Sequence, residues 1–207
     1  MSRRDEFDRL DSTWSSVTPP AARRMLIAAA AAFSVRGYHA TTTRDIAAQA
    51  GMSPAAVYIH YRSKEELLFQ ISRIGHTTSL ALLTSVAGDD PATRLASAVR
   101  AFASWHAEYH VTARVVQYEL SALTPEHLAE VVEVRRRIEG AVRDMVEAGV
   151  AAGVFDVPDV RGATLAVLSL CIDVARWFHP DRGRTPAQIG DLYADLVLRM
   201  VGAETAR

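Results

Sequence analysis

Residues 41–64 gather side chains suited to one kind of chemistry, the holding of a polyanion. Tyr58, His60 and Lys64 stand close together behind an apolar-patterned segment, at positions whose polar tips should project outward. Hydroxyl, imidazole and ammonium groups all donate to phosphate oxygens, and such contacts place a protein on a duplex without reading its bases. Ala55 and the neighbouring Ala56 are small, so a backbone carrying them can come close to base edges in a major groove. Lys64 falls in the first turn of the next helical segment, where its charge adds to the pull of orphaned N–H groups on an anion. Taken singly, each residue reads equally well as a solvated surface group. Their joint placement points to nucleic acid.

No comparable set exists for catalysis. The sequence has no glycine-rich phosphate loop, no nucleophile elbow and no cluster of metal ligands, so no enzyme activity, cofactor or metal ion is expected. The single cysteine, Cys171, rules out an internal disulfide, and its apolar neighbours mark it as an inert buried thiol. The longest charge-free apolar stretch, near residues 163–172, falls well short of the ~20 residues that a membrane span needs. Residues 2–9 alternate charges and do not lead into a signal core. The expectation is a soluble cytoplasmic protein with no membrane partner. Its net charge of −1 hides an asymmetry: residues 1–64 carry nine basic and five acidic side chains, the remainder fourteen and nineteen. A basic head on an acidic body is the distribution of a nucleic-acid binder with a second, non-binding part.

The elements that must position these groups are all helical. Residues 1–20 mix charge, hydroxyls and two prolines without an apolar period and read as a flexible arm. From Ala21 the period turns helical, with Leu26, Ala30 and Phe33 on one face and Gly37 as a stop. A threonine caps the next helix, whose inner face is Ile46, Ala47 and Ala50; Gly51 and Met52 make the turn, and Ser53 with Pro54 opens a short helix to Tyr61. A long helix follows from Ser63. The pairs Asp90-Pro91, Thr124-Pro125 and Thr185-Pro186 each supply a cap and a first-turn proline, and Asp159 caps the helix that runs to about Phe178. No segment alternates as a strand does. The fold class is all-α with about nine helices.

The ordered string Phe33, Gly37, Thr41, Thr42, Arg44, Asp45, Ile46, Ala47, Ala50, Gly51, Ser53, Tyr58, His60, Tyr61, Ser63, Lys64, Glu65 and Leu67 resembles the TetR family of one-component regulators. The family usually has phenylalanine where Tyr61 stands. The resemblance implies a three-helix DNA-binding head at residues 21–66 and an effector-binding and dimerisation domain at 67–207. It assigns Thr42, Thr43, Arg44, Ser53, Ala55, Tyr58, His60 and Lys64 to the DNA surface. It implies a homodimer on double-stranded DNA with a palindromic operator, commonly a repressor. A helical interaction protein without DNA binding is the competing class, and the polar tips at Arg44, Tyr58, His60 and Lys64 weigh against it.

Apolar residues of the last two helices, Leu165, Leu168, Ile172, Leu192, Leu196 and Val201, offer either a dimer surface or ordinary core. For a small-molecule effector the candidates are Trp105, Tyr109, Arg114 and Tyr118, expected near the bundle interior, with Arg176 and Trp177. His106 and His110 read better as structural than as metal ligands. The run Asp173, Arg176, Trp177, Phe178, Pro180, Thr185, Ile189 and Tyr193 is similar to the branch that senses acyl-CoA thioesters from lipid or steroid breakdown; a drug-like or other small apolar ligand is the alternative. Arg176 suits a phosphate or carboxylate of a ligand, or a buried ion pair with Asp173 or Asp144.

Overall fold

A computed structural model describes residues 8–203 apart from Ser12 and Arg182, and among the described residues there is no strand. From Pro20 onward it has the helices α1 Pro20–Arg36, α2 Thr43–Gln49, α3 Pro54–His60, α4 Lys64–Ser85, α5 Pro91–Glu108, α6 His110–Tyr118, α7 Pro125–Ala151, α8 Val160–Trp177 and α9 Pro186–Met200, with a 3-10 turn at Leu120–Ala122. No helix among the described residues is long and apolar enough to cross a membrane. The chain forms two compact units: one takes in the residues through Gly75 together with Val111–Val131, the other His76–His110 with Val132 onward. The head placed at residues 21–66 from sequence therefore sits inside a larger unit that recruits α6 and the start of α7.

Helix starts follow the cap residues. Asp90 accepts from the Thr93 N–H at 2.9 Å, Thr124 from His127 at 3.3 Å and Asp159 from Gly162 at 3.0 Å. Thr185 and Gln188 close a reciprocal box at 2.9 and 3.2 Å. Each bond satisfies an N–H that the first turn of a helix leaves orphaned.

In the first unit α1 is the central helix. Its consecutive residues Ala28 to Phe33 are all buried, more than the one stripe expected from Leu26, Ala30 and Phe33, because neighbours cover it on several sides and alanine lets them come close. The arm expectation needs correction over the described part of residues 8–17. Residues 8–11 are helical, Leu10 and Trp14 are 1% and 4% exposed, and Asp11 pairs with Arg23 of α1 at 2.8 Å. Two apolar residues one helical turn apart in a highly polar segment leave too little periodicity to show in the sequence. Residues 1–7 of that arm lie outside the described residues.

The second unit has one core, in which Leu95, Val99 and Phe102 of α5 meet Val142 and Met145 of α7, Val167, Cys171 and Val174 of α8, and Ile189, Tyr193 and Val197 of α9. Cys171 is fully buried, and burial pushes its thiol up to about 12, which leaves it protonated and inert. α9 approaches α5 closely through Gly190, where a Cβ would fall 2.6 Å from the Arg100 carbonyl oxygen. Arg100 also pairs with Asp191 at 2.6 Å across this contact.

Candidate nucleic-acid interface

The two short helices of the first unit are held by backbone chemistry that the sequence encodes locally. Thr42 and Asp45 form a capping box at the start of α2: the Asp45 N–H donates to the Thr42 hydroxyl at 3.1 Å and the Thr42 N–H to the Asp45 carboxylate at 2.9 Å. The helix ends with Met52 donating to the Ala47 carbonyl at 2.9 Å and Gly51 to that of Ala48 at 3.1 Å, while Gly51 takes φ +68°. This left-handed reversal suits glycine and turns the chain into α3 within three residues. Ser53 then caps α3, its hydroxyl accepting from Ala56 at 3.3 Å, and Pro54 fills the first turn.

Asp45 does more than cap. Its carboxylate also meets Arg36 of α1 at 2.9 Å, and the Thr42 hydroxyl and N–H, followed by the Arg36 guanidinium, hold it down to about 2. A carboxyl whose folded value lies below its unfolded value of about 4 stabilises the fold above that unfolded value, and the contribution fades as pH falls towards 2. The wild type is therefore expected to lose more urea resistance than Asp45→Asn between pH 5 and pH 2.5. Equal losses would show that the box does not set this dependence.

α3 is anchored from below by two side chains. Val57 is fully buried, and Tyr61 is 6% exposed with its hydroxyl donating to the Ala22 carbonyl at 3.1 Å. That bond accommodates tyrosine where the family usually has phenylalanine, and burial, then Glu66, pushes the hydroxyl up to about 12. Arg44, Ser53, Ala55 and Tyr58 are exposed, Thr43 and His60 half-buried. The Thr43 and Tyr58 hydroxyls lie 3.2 Å apart, so the start of α2 and the middle of α3 present one continuous donor surface. Sequence reasoning left out Ile59, which at 77% exposure is the most exposed large apolar residue given for the described chain.

Lys64 is placed differently from expectation. Its ammonium donates to the Tyr38 and Thr41 carbonyls, both at 2.8 Å, and sits 4.2 Å from the centre of the Tyr38 ring. Those contacts tie the loop between α1 and α2 to the first turn of α4. The same loop is held from the other side, where the Tyr38 N–H donates to Glu119 at 3.2 Å. Glu65, beside Lys64, accepts from the Thr124 N–H at 3.0 Å and from His127 Nδ1 at 2.8 Å, and the His127 ring stacks on Phe69 at 3.8 Å. Segment 111–131 is thus a brace for the head. Such contacts, 59 to 81 residues apart, leave no local pattern to read.

The effector candidates divide. Arg114 and Tyr118 belong to the first unit, and Tyr118, expected in the interior, is 58% exposed because it falls on the outer face of α6. Trp105, Tyr109, Arg176 and Trp177 belong to the second. Trp105 and Tyr109 pair with ring centroids 5.7 Å apart, and Trp177 stacks on Tyr193 at 6.4 Å. Arg176 makes a bidentate pair with Asp173 at 2.6 and 2.8 Å, exposed and not buried, while Asp144 meets Arg143 instead. His106 and His110 are buried, each with Nδ1 bonded to a carbonyl of its own chain, Phe102 at 2.8 Å and Ala107 at 3.1 Å. Burial pushes His106 down to about 4, so it is neutral at ordinary pH. Among the described residues, no group of three or more His, Cys, Asp or Glu side chains could hold a metal ion.

A capped helix, a left-handed glycine turn and a short second helix with an exposed donor surface define a helix-turn-helix regulator of transcription. Residues 26–71 match the description "Bacterial regulatory proteins, tetR family", and residues 88–201 match "Tetracyclin repressor-like, C-terminal domain". The HTH-type transcriptional repressor KstR2 of Mycolicibacterium smegmatis is 31% identical over 186 residues, covering 86% of this chain and 90% of that protein. A solved bacterial regulatory protein of the tetR family from Rhodococcus RHA1 is 45% identical, with a TM-score of 0.86 over 91% of this chain and 100% of the other. AibR, solved with isovaleryl coenzyme A and operator DNA, shares the fold at a TM-score of 0.77 and 24% identity, covering 89% and 100%. The chain belongs to the TetR family, as a DNA-binding transcriptional regulator and not an enzyme.

Proposed function

We propose that this regulator is a homodimeric repressor whose paired α3 helices enter successive major grooves of a palindromic operator, and that a small hydrophobic effector of the acyl-CoA class releases it. The operator reading is carried by the surface around α3, where Arg44, Ser53, Ala55 and Tyr58 are exposed over the buried Val57 and Tyr61. Thr43 and His60 complete the set of donors that reach phosphates, and Thr42 works chiefly as the cap that aims them. The dimer reading is supported by Leu165 of α8 and by Leu196 and Met200 of α9, which are 46%, 42% and 39% exposed in the single chain. A two-fold axis through such a face buries it against its own copy. That relatives such as KstR2 carry the name of repressors supports the sign of regulation.

For the effector, Trp105, Tyr109 and Trp177 offer aromatic surface to an acyl chain, and Arg176 a cation for a coenzyme phosphate that exchanges with Asp173. The fold itself accommodates such a ligand, since AibR holds isovaleryl coenzyme A.

Selection of duplexes from a random pool by the full-length protein tests the operator reading. An inverted repeat with half-site centres one helical turn apart, ~34 Å, or a multiple of it, is the expected product; no enrichment at all would contradict it. Adding acyl-CoA thioesters of graded length to that complex tests the effector. At least one thioester should weaken operator binding more than tenfold where free coenzyme A does not, and Arg176→Met should keep operator affinity while blunting the response. Release by none of them would remove the acyl-CoA class.

A further inference from the structure

The outermost line of α3 carries no hydrogen-bonding side chain. Successive residues of an α-helix are turned by ~100°, so Ala55 and Ile59 lie ~160° to either side of Val57, on the face opposite it. Val57 is fully buried, which fixes that opposite face as the outward one, and Ile59 is 77% exposed on it. Tyr58 lies ~100° from Val57, at the flank, where its hydroxyl meets Thr43 at 3.2 Å. His60 lies ~60° from Val57 and is half-buried. The polar donors thus border the strip that a groove floor would meet, and the strip itself is a methyl and a branched hydrocarbon.

A single exposed isoleucine is ordinary on a protein surface. Its place here, at the centre of the surface that meets the duplex, gives it a partner. Hydrocarbon cannot pair with the donors and acceptors of base edges, and the one apolar feature the major groove offers is the C5-methyl of thymine. We propose that Ile59, seated beside Ala55, reads a thymine C5-methyl in each half-site and is a specificity-determining residue of this regulator. The inference rests on the operator reading, because it requires α3 to lie in the major groove. Discrimination at that base pair then comes from apolar contact, while Arg44, Thr43 and Tyr58 set register on the phosphates.

Deoxyuridine differs from thymidine only by this methyl, which makes the test direct. In the duplex selected by the full-length protein, thymines are replaced by deoxyuridine one symmetric pair at a time, and binding is measured for wild type, Ile59→Ala and Ile59→Val. Removing one well-buried methyl group costs about fourfold in affinity, so one symmetric pair should weaken the wild type about tenfold or more. The same replacement should change Ile59→Ala less than twofold, and Ile59→Val should keep most of the sensitivity. An unchanged melting temperature is expected for both variants, since the side chain is exposed, and separates loss of contact from loss of fold. Equal deoxyuridine sensitivity in wild type and Ile59→Ala, or none at any thymine, would overturn the role of Ile59 and leave operator binding intact. A pool that yields no enriched duplex would instead remove the operator reading, and this inference with it.

Discussion

Lys64→Ala is expected to lower operator affinity at least 30-fold and to lower the melting temperature by several degrees, with little change in the salt dependence of binding. The Lys64 ammonium spends two N–H groups on the Tyr38 and Thr41 carbonyls at 2.8 Å and lies over the Tyr38 ring. Charge-assisted bonds contribute about 1.5–3 kcal/mol each and the ring contact about 0.5–1 kcal/mol, and partial exposure lowers the sum to about 3 kcal/mol. Tyr38 and Thr41 flank the loop that delivers Thr42, Thr43 and Arg44, so losing the tie loosens the start of α2 and the donor surface with it. Counterion release counts only neutralised phosphates, so a residue that works by holding the loop leaves the salt slope nearly as it was. A phosphate anchor would give the opposite pattern: a slope shallower by about 0.9 and an unchanged melting temperature. Thermal denaturation together with a salt titration of binding distinguishes the two.

The second large effect is expected at the face formed by α8 and α9. Leu196→Glu places a charge where Leu165, Leu196 and Met200 are exposed in the single chain. A carboxylate brought against its own two-fold copy is buried without a partner and repelled by a like charge, which is severely unfavourable. The variant should run as a folded monomer by light scattering, since residue 196 is 42% exposed before any association. Joined half-site contacts exceed single ones by factors of about 10²–10⁴, so operator affinity should fall at least a hundredfold with α2 and α3 untouched. A dimeric variant with normal affinity would place the interface elsewhere.

What was legible in the sequence follows from where the information sits. Helix starts were readable because a cap and a proline act over three or four residues, as Asp90-Pro91 and Thr185-Pro186 do. The turn at Gly51 was readable because a left-handed backbone there demands glycine. The break between α5 and α6 at Tyr109 was not, since no glycine or proline marks it and the residue simply leaves helical geometry at φ −108°, ψ 34°. Nor could the brace of Glu119 and His127 on the head be read, because those partners meet only after folding.

Within the candidate site, residue types name the donors but not the directions in which they point. The position of Lys64 at a helix start favours an anion, yet nearby carbonyls compete for the same ammonium. Ile59 carries no polar tip to mark it, and only the helical period places it opposite Val57. In the body, aromatic spacing could not separate Tyr118, which is exposed, from Trp105 and Tyr109, which pair. Arg176 was correctly linked with Asp173 as one option, but the pair lies on the surface instead of in the core.

The central claim is that α3 enters the major groove of an operator, and dimethyl sulfate probing of the selected duplex tests it most directly. The reagent methylates guanine N7 in the major groove and adenine N3 in the minor groove, so it reports which groove is filled. Bound protein is expected to protect guanine N7 in two symmetric segments on one face of the duplex, one turn or a multiple of it apart, and Tyr58→Phe with Arg44→Ala should lower occupancy without moving them. Protection confined to adenine N3, or a bound duplex whose guanines all remain reactive, would contradict it.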